Sequence, residues 1–236
     1  MRVTERTKLR RLPARGSHEP EVIHSILDAA FLAHVGFQAH GQPFVIPTLY
    51  GREGNTLYLH GSVASRTLRE LGGGLQACVT VTVVDGLVLA RSAFHHSMNY
   101  RSVVAFGVAR PITEPDRKVH ALRVISEHLI AGRWVDVRVP NAKELKGTAV
   151  LELPLDEASA KIRSGPPKDE PKDYASAVWA GVIPLVLEPK SAIPDERLAD
   201  GVREPQYELP WRSESSTVSW HEEVLRSPRL VARRDG

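Results

Sequence analysis

The 236-residue sequence contains a single cysteine, Cys78, and no apolar run of the length that a membrane span requires. One cysteine cannot form an intramolecular disulfide, so we expect a chain suited to the reducing cytoplasm. The basic N-terminal residues are not followed by an apolar segment, so we expect no secretory signal peptide. The net charge is only +3, so charge does not indicate a nucleic-acid binder. We therefore predict a cytoplasmic protein with neither a nucleic-acid nor a membrane partner.

Hydrophobic residues make up 42% of the chain and charged residues 25%, which is ordinary for a protein with a packed core. Local patterns predict mainly β-structure with a few peripheral helices. The residues around Cys78 alternate valine and threonine with a period of two, typical of a half-buried strand. Strands are predicted over 31–39, 44–50, 56–60, 76–84, 87–90, 100–110 and 148–155, with an extension to 163. Helices are predicted over 20–30, 66–71, 115–131 and 142–146, and turns over 40–43, 51–55 and 85–86.

The character of the sequence changes after Ser164. Residues 165–171 carry one glycine and three prolines, which neither a helix nor a central strand can accommodate. The chain beyond them is rich in proline, yet Trp179 and residues 182–187 are too apolar to be left in water. We predict one domain over 1–164. Residues 165–236 are predicted to form an irregular arm that packs on this domain or on a partner subunit.

The first candidate binding residues are His60, Gly61 and Ser62, at a strand end, and Ser65 and Arg66, at the start of a helix. Free backbone N–H groups, hydroxyls and a guanidinium together suit a phosphate. The alternative is that Ser65 only caps the helix and Arg66 is only solvated. Spacing alone does not decide between these two interpretations.

Two adjacent histidines, His95 and His96, raise the question of a metal. Neighbouring strand residues point to opposite sides, so both rarely bind one ion, and no cysteine or carboxylate lies at ligand spacing nearby. The sequence therefore argues against a metal-ion site. A haem held by a single axial histidine stays open.

Four stretches resemble the pyridoxamine 5′-phosphate oxidase-related flavin-nucleotide-binding family, including its nitroimidazole-reductase-like branch. The most specific is the run from Asp85 to Val104, and the other three are residues 45–48, 58–66 and 179–185. The resemblance extends over about residues 5–190. It implies a split β-barrel homodimer with two FMN molecules at the subunit interface.

The resemblance also assigns site residues by position. Val45, Ile46, Pro47 and Thr48 are expected along the isoalloxazine ring, and His60, Gly61, Ser62, Ser65 and Arg66 around the phosphate. Ser97, Tyr100, Arg101 and Ser102 are expected to complete the site, with the second subunit as a possible source. Trp179 is expected to shield the ring face, with core packing as the alternative. No catalytic acid or base stands out, and His60 and Tyr100 are the only candidates.

The sequence departs from the vitamin B6 oxidases of this family. The strand over residues 43–48 lacks the two basic residues expected there, and residues 227–231 do not match the substrate-phosphate motif. We therefore expect an FMN-dependent oxidoreductase that acts on another small molecule, with NAD(P)H as a candidate electron donor. Two alternatives stay open. One is a flavin-binding or storage protein without turnover, and the other is a split barrel that holds haem or a deazaflavin.

Overall fold

The computed structural model describes residues 1–212. Eleven strands and four α-helices lie within this part of the chain, together with five short 3-10 helices in the connections. The strands are β1 (Gly16–Ser17), β2 (Leu32–Ala39), β3 (Gln42–Leu49), β4 (Gly51–Glu53), β5 (Thr56–Ser62), β6 (Gln76–Leu89), β7 (Ser97–Val108), β8 (Arg110–Pro111), β9 (Thr148–Pro154), β10 (Glu157–Arg163) and β11 (Gly181–Pro184). The helices are α1 (Pro20–Asp28), α2 (Arg66–Gly72), α3 (Pro115–Leu129) and α4 (Ala142–Gly147).

The strands form two antiparallel sheets that enclose one core. The larger sheet has the order β1-β10-β7-β6-β2-β3, with β11 added to β6, and the smaller has the order β4-β5-β9-β8. Side chains on β2 alternate, so that Val35 and Phe37 enter the core while His34 points away from it. The chain bends from β3 into β4 at Tyr50. Beyond this bend β3 and β5 contact one another but do not pair within residues 1–212. We call the opening between β3 and β5 the split.

The larger sheet has one face toward the core and one face turned away from it, which we call the outer face. Strand register identifies its residues: Val45 and Pro47 on β3, His34 and Gly36 on β2, Cys78, Thr80 and Thr82 on β6, and Tyr100, Ser102 and Val104 on β7. Most of these side chains are small. Within residues 1–212, no helix makes extensive contact with the centre of this face.

Residues 85–86 do not form the predicted turn. Strand β6 runs through them as a single 14-residue strand, with a bulge between Val84 and Gly86. Asp85 is held at the bulge by an ion pair with Arg101, and Gly86 leaves room for β11. A Cβ at Gly86 would lie 2.9 Å from the carbonyl oxygen of Ile183. Long-range pairing therefore overrides a dipeptide that locally favours a turn.

The predicted turn over residues 51–55 is also shorter than expected, because Gly51–Glu53 form β4 and the turn is confined to Gly54 and Asn55. Helix α3 lies against β4 at Gly51, where a Cβ would come within 2.7 Å of the Ile125 Cα atom. The absence of a side chain at Gly51 allows this close packing.

The arm from residue 165 to residue 212 lies along the barrel. Strand β11 pairs with the end of β6, and the Trp211 indole N–H donates to the Leu129 carbonyl at 3.0 Å. The Trp211 ring also packs against Phe31, at 4.8 Å between ring centroids. Both ends of this arm are therefore fixed to the domain. In the part of the chain that the structure describes, no helix is long and apolar enough to cross a membrane.

Candidate functional site

Strand β3 forms one wall of the split and is the free edge of the larger sheet. Pro43 and Pro47 lie within it, and an edge strand tolerates proline because one row of its N–H groups has no strand partner. Val45 and Pro47 point outward, and Val45 is 65% exposed. Ile46 and Thr48 point to the barrel side and are half-buried. The four residues predicted along the flavin ring therefore divide between the two faces of this strand.

Strand β5 forms the other wall, and its predicted residues also divide. A Cβ at Gly61 would meet Leu68 of α2 at 2.9 Å, so the backbone of Gly61 lies directly against that helix. His60 and Ser62 leave the strand on the opposite side. The His60 Nδ1 atom is buried without a hydrogen-bond partner in the described structure, and burial lowers the pKa of this imidazole below 6.5. His60 thus has an unsatisfied polar atom on the face of β5 that it shares with its register partner Val150, and Val150 packs with Ala121 of α3.

Arg66 links the two walls. Its guanidinium carbon lies over the ring of Phe44 on β3, 4.4 Å from the ring centroid, and Phe44 in turn stacks on Phe37 at 5.3 Å. Arg66 is exposed and forms no ion pair with any residue of the described part, 1–212. A positive charge that is held in place by stacking and has no carboxylate partner is suited to bind an anion.

The two serines beside Arg66 already make local contacts. The Ser65 hydroxyl accepts the Leu68 N–H at 3.4 Å, as an N-cap residue does, and the Ser62 hydroxyl accepts the Ala64 N–H at 3.1 Å. The capping role considered for Ser65 is therefore present. Each hydroxyl keeps its own O–H for donation to a ligand.

A second group of predicted residues lies on β7, with Tyr100 and Ser102 on the outer face and Ser97 at the start of the strand. Strands β2 and β6 separate them from β3, and neighbouring strands lie about 4.8 Å apart, so the separation is roughly 14 Å. One subunit therefore does not bring Tyr100 and Ser102 into contact with the residues of the split.

Arg101 points to the opposite side of β7 from its two neighbours. Its Nε and Nη2 atoms donate to the carboxylate of Asp85 at 3.0 and 2.8 Å. The pair is largely enclosed, with side-chain exposures of 18% for Arg101 and 8% for Asp85. Arg101 thus stabilises the bulge of β6, a contact that the sequence analysis did not predict.

A cavity of about 560 Å³ lies between the outer face and the arm. Its lining is mainly apolar, with Leu32, Val84, Leu187 and Trp211 among the large side chains. The polar groups are His34 and the Asp85–Arg101 pair, together with Thr82. Sequence patterns did not reveal this cavity, because its walls come from the link between α1 and β2 and from β2, β6, β7 and the arm. The alternation on β2, which places His34 outward, was the one available signal.

Trp179 and the two adjacent histidines lie around the bulged end of β6. Trp179 is 65% exposed and its ring covers Gly181, so it is not packed in the core of the chain.

His95 lies 3.7 Å from Glu170, and the His96 Nδ1 atom lies 3.0 Å from the Ser92 carbonyl oxygen. Their neighbour Phe94 is 89% exposed. Among residues 1–212 no group of three His, Cys, Asp or Glu side chains is placed to hold a metal ion.

Comparison with known proteins identifies relatives. The family model described as pyridoxamine 5′-phosphate oxidase matches residues 19–162. The solved structure of the flavocytochrome Anf3 from Azotobacter vinelandii is 42% identical, covers 86% of this chain and 94% of its own, and has a TM-score of 0.81. An FAD and haem binding protein from Mycobacterium smegmatis is 36% identical over 81% of this chain and 94% of its own, with a TM-score of 0.78.

A putative 5-nitroimidazole antibiotic resistance protein from Bacteroides thetaiotaomicron is 25% identical, covers 62% of this chain and 86% of its own, and has a TM-score of 0.52. No curated protein matches the sequence significantly. Two antiparallel sheets with an open split, and a family match over more than half of the chain, define a split-barrel protein with peripheral helices. The chain belongs to the pyridoxamine 5′-phosphate oxidase-like family, as its sequence motifs predicted.

Proposed function

We propose that this protein is a redox protein that binds a flavin nucleotide in the split and a haem as a second cofactor. The observation that carries the flavin assignment is Arg66, whose guanidinium is held over Phe44 and forms no ion pair within residues 1–212. A phosphate beside it would gain a charge-assisted contact, with the hydroxyls of Ser62 and Ser65 at hand. The flavin ring would then lie along β3, on the outward side of Val45 and Pro47.

The flavin site is proposed to be completed by a second copy of the chain. Tyr100 and Ser102 lie roughly 14 Å from β3 within one subunit. The outer face also leaves large apolar side chains exposed: Leu32, Val45, Leu49, Val84, Leu87 and Met98. A twofold dimer that buries this face would place β7 of one subunit opposite β3 of the other, since isologous contacts are reciprocal.

Haem is proposed because of the two most extensive similarities described above. One of these relatives is named a flavocytochrome and the other an FAD and haem binding protein, and each matches more than four-fifths of the chain. The residues present fit such a group. The cavity between the outer face and the arm is mainly apolar, and its lining in the described part of the chain includes one histidine, His34, and one arginine, Arg101. These are the kinds of residue that bind haem iron and haem carboxylates.

When bound, a flavin would supply two-electron chemistry toward a donor and one- or two-electron chemistry toward an acceptor. The donor is proposed to be a nicotinamide dinucleotide, which is oxidised by two electrons. A small-molecule acceptor gains those two electrons and two protons, one from the donor and one from solvent. The chain's own part is to hold the cofactors and exclude water.

The test is reconstitution of the full-length protein with FMN, FAD and haemin, singly and together, followed by desalting and absorption spectroscopy. About one flavin and one haem retained per chain is the expected result. Chromatography of the released flavin distinguishes FMN, which the sequence predicts, from FAD. A protein that retains neither flavin contradicts the proposal.

Anaerobic addition of NADH or NADPH separates an oxidoreductase from a storage protein. We expect bleaching of the flavin absorbance near its visible maximum, followed by recovery when an acceptor is admitted. A bound flavin that is reduced by dithionite but by neither nicotinamide would exclude this class of donor. It would also favour a protein that stores flavin or exchanges electrons with another protein.

A further inference from the structure

We propose that the haem occupies the cavity between the outer face and the arm, with His34 as the protein ligand of its iron. This inference rests on the proposed function, in that the chain carries haem. It adds the location of the haem and the identity of its ligand.

The cavity has the chemistry that a haem requires. Its walls are formed by the start of β2, the bulged part of β6, and Leu185, Val186 and Leu187 of the arm, with Trp211 at one end. An apolar site of several hundred cubic ångströms with a few convergent polar groups is typical of a cofactor pocket. The arm is attached to the barrel at β11 and again at Trp211. Between these two attachments, Leu185, Val186 and Leu187 line the cavity.

Among residues 1–212, His34 is the one histidine in the cavity wall. It is exposed on the outer face of β2, which is paired with β3 on one side and with β6 on the other. A strand held on both sides fixes the position of the imidazole better than a loop would. Its cross-strand neighbours are Pro47 and Thr80, and Gly36 follows it on the same face. None of these neighbours is a carboxylate that would hold the ring away from a ligand.

The other candidate histidines are less well placed. His95 lies beside Glu170, and His96 lies in the short turn after Phe94, whose ring is open to solvent. His128 is buried, with its Nε2 atom 2.8 Å from the Ala30 carbonyl oxygen. Neither His95 nor His96 lines a cavity of comparable size among the principal ones in residues 1–212.

Arg101 lines the same cavity as His34, although it leaves β7 on the side opposite to the outer face. It binds Asp85 through Nε and Nη2, which leaves Nη1 without a hydrogen-bond partner in the described structure. A guanidinium can bind two carboxylates at once, because its five N–H groups point in different directions. We therefore assign Nη1 of Arg101 to a haem propionate.

The position of His34 also places the proposed haem site next to the proposed flavin site. His34 on β2 and Pro47 on β3 are register partners on the outer face, and side chains in such pairs lie about 5 Å apart. A haem held by His34 would thus be the direct neighbour of the strand that we propose for the flavin ring. The two redox groups would lie on one face of one sheet, without intervening protein layers.

The test compares haemin binding by wild-type protein with that of three variants: His34→Gly, His96→Ala and Arg101→Gln. His34→Gly should lose the Soret band of the bound haem while retaining flavin. Added imidazole should restore the band, because the small ligand fills the space left by the side chain. His96→Ala should leave the spectrum unchanged. Arg101→Gln should weaken haem binding without moving the band, since it does not touch the iron.

The outcomes are distinct. Wild-type protein that binds flavin but gives no Soret band overturns the haem part of the proposed function, and this inference with it. Wild-type protein that binds haem, together with a His34→Gly variant whose spectrum is unchanged, overturns only this inference. Loss of the band in His96→Ala alone would contradict the inference and assign the iron ligand to His96 in the turn after β6. Retained flavin in each variant shows that the chain is folded.

Discussion

The guanidinium of Arg66 stacks on the ring of Phe44 at 4.4 Å, although one residue begins α2 and the other lies on the edge strand β3. This contact spans the split and fixes a positive charge there. Stacking on an aromatic ring uses the face of the guanidinium and leaves its N–H edge available. The contact therefore holds a positive charge suited to the anion site that we propose, in a part of the fold where the two sheets do not pair.

Arg66→Ala should weaken flavin binding by about ten- to hundred-fold, since a hydrogen bond to a charged group contributes about 1.5–3 kcal/mol. Quenching of flavin fluorescence on titration measures the affinity. Arg69→Ala is the matched control, because Arg69 is also exposed and lies on the same helix. Equal losses in both variants would show a general effect of charge. Unchanged affinity in Arg66→Ala would remove this residue from the site.

Val104→Arg should convert the proposed dimer into monomers and weaken flavin binding at the same time. Val104 lies near the centre of the outer face, where a buried guanidinium without a partner is costly to desolvate. Light scattering after size exclusion gives the mass. Val135→Arg introduces the same charge at a site that is 83% exposed in the turn after α3, and should leave the mass unchanged. A wild-type chain that is monomeric at all concentrations contradicts the proposed interface.

Replacement of Arg101 should lower the free energy of unfolding, in addition to its effect on the cavity. Arg101→Ala leaves the enclosed carboxylate of Asp85 without its partner, which typically costs about 3–5 kcal/mol for a buried pair. The partial exposure of Arg101 places the expected value at the low end of this range. Urea unfolding measures the free energy. The double variant Asp85→Ala/Arg101→Ala should lose less than the sum of the single losses, and strict additivity would exclude coupling across the bulge.

Stability should decrease as the pH falls from 7.5 to 5.5. Burial lowers the pKa of His128 and of His60 below 6.5, so the unfolded chain takes up protons that the folded chain does not. Unfolding is then favoured as the pH drops through 6.5, by at most about 1.4 kcal/mol per pH unit for each histidine. The effect ends below the folded pKa of each group. The carboxyl of Glu157, whose pKa is lowered by Arg6 and Thr4, contributes only below about pH 4.5.

His128→Gln isolates one of these two groups. Glutamine keeps an N–H donor for the Ala30 carbonyl but does not titrate. The free energy of unfolding of this variant should therefore change less between pH 7.5 and 5.5 than that of the wild type. His24→Gln, at a half-buried histidine beside Asn55, is the control. A pH dependence that is unaltered in His128→Gln would mean that His128 does not titrate in this range.

Much of the barrel could be predicted from the sequence, because half-buried strands impose a period of two that is visible locally. The alternation around Cys78 and the helix that begins at Pro115 are examples. The bulge at Asp85 could not be predicted in this way. Asp-Gly favours a turn locally. The strand continues through this dipeptide because Asp85 pairs with Arg101 and Gly86 lies against Ile183, both distant in sequence.

The candidate site was predictable as a set of motifs but not as an arrangement. Motif positions named Val45 and Ile46 together, yet the strand places them on opposite faces. The cavity beside His34 was missed, because five separate segments form its walls and no short pattern connects them. Residues 213–236, including the segment 227–231 considered in the sequence, lie outside the described structure.

The central claim is a flavin bound in a dimer whose second subunit completes the site. Native mass spectrometry of the reconstituted full-length protein tests it most directly. The expected result is a dimer that carries two flavins, and two haems when haemin is supplied. A flavin-bearing monomer, or a dimer that carries no flavin after reconstitution, would contradict it.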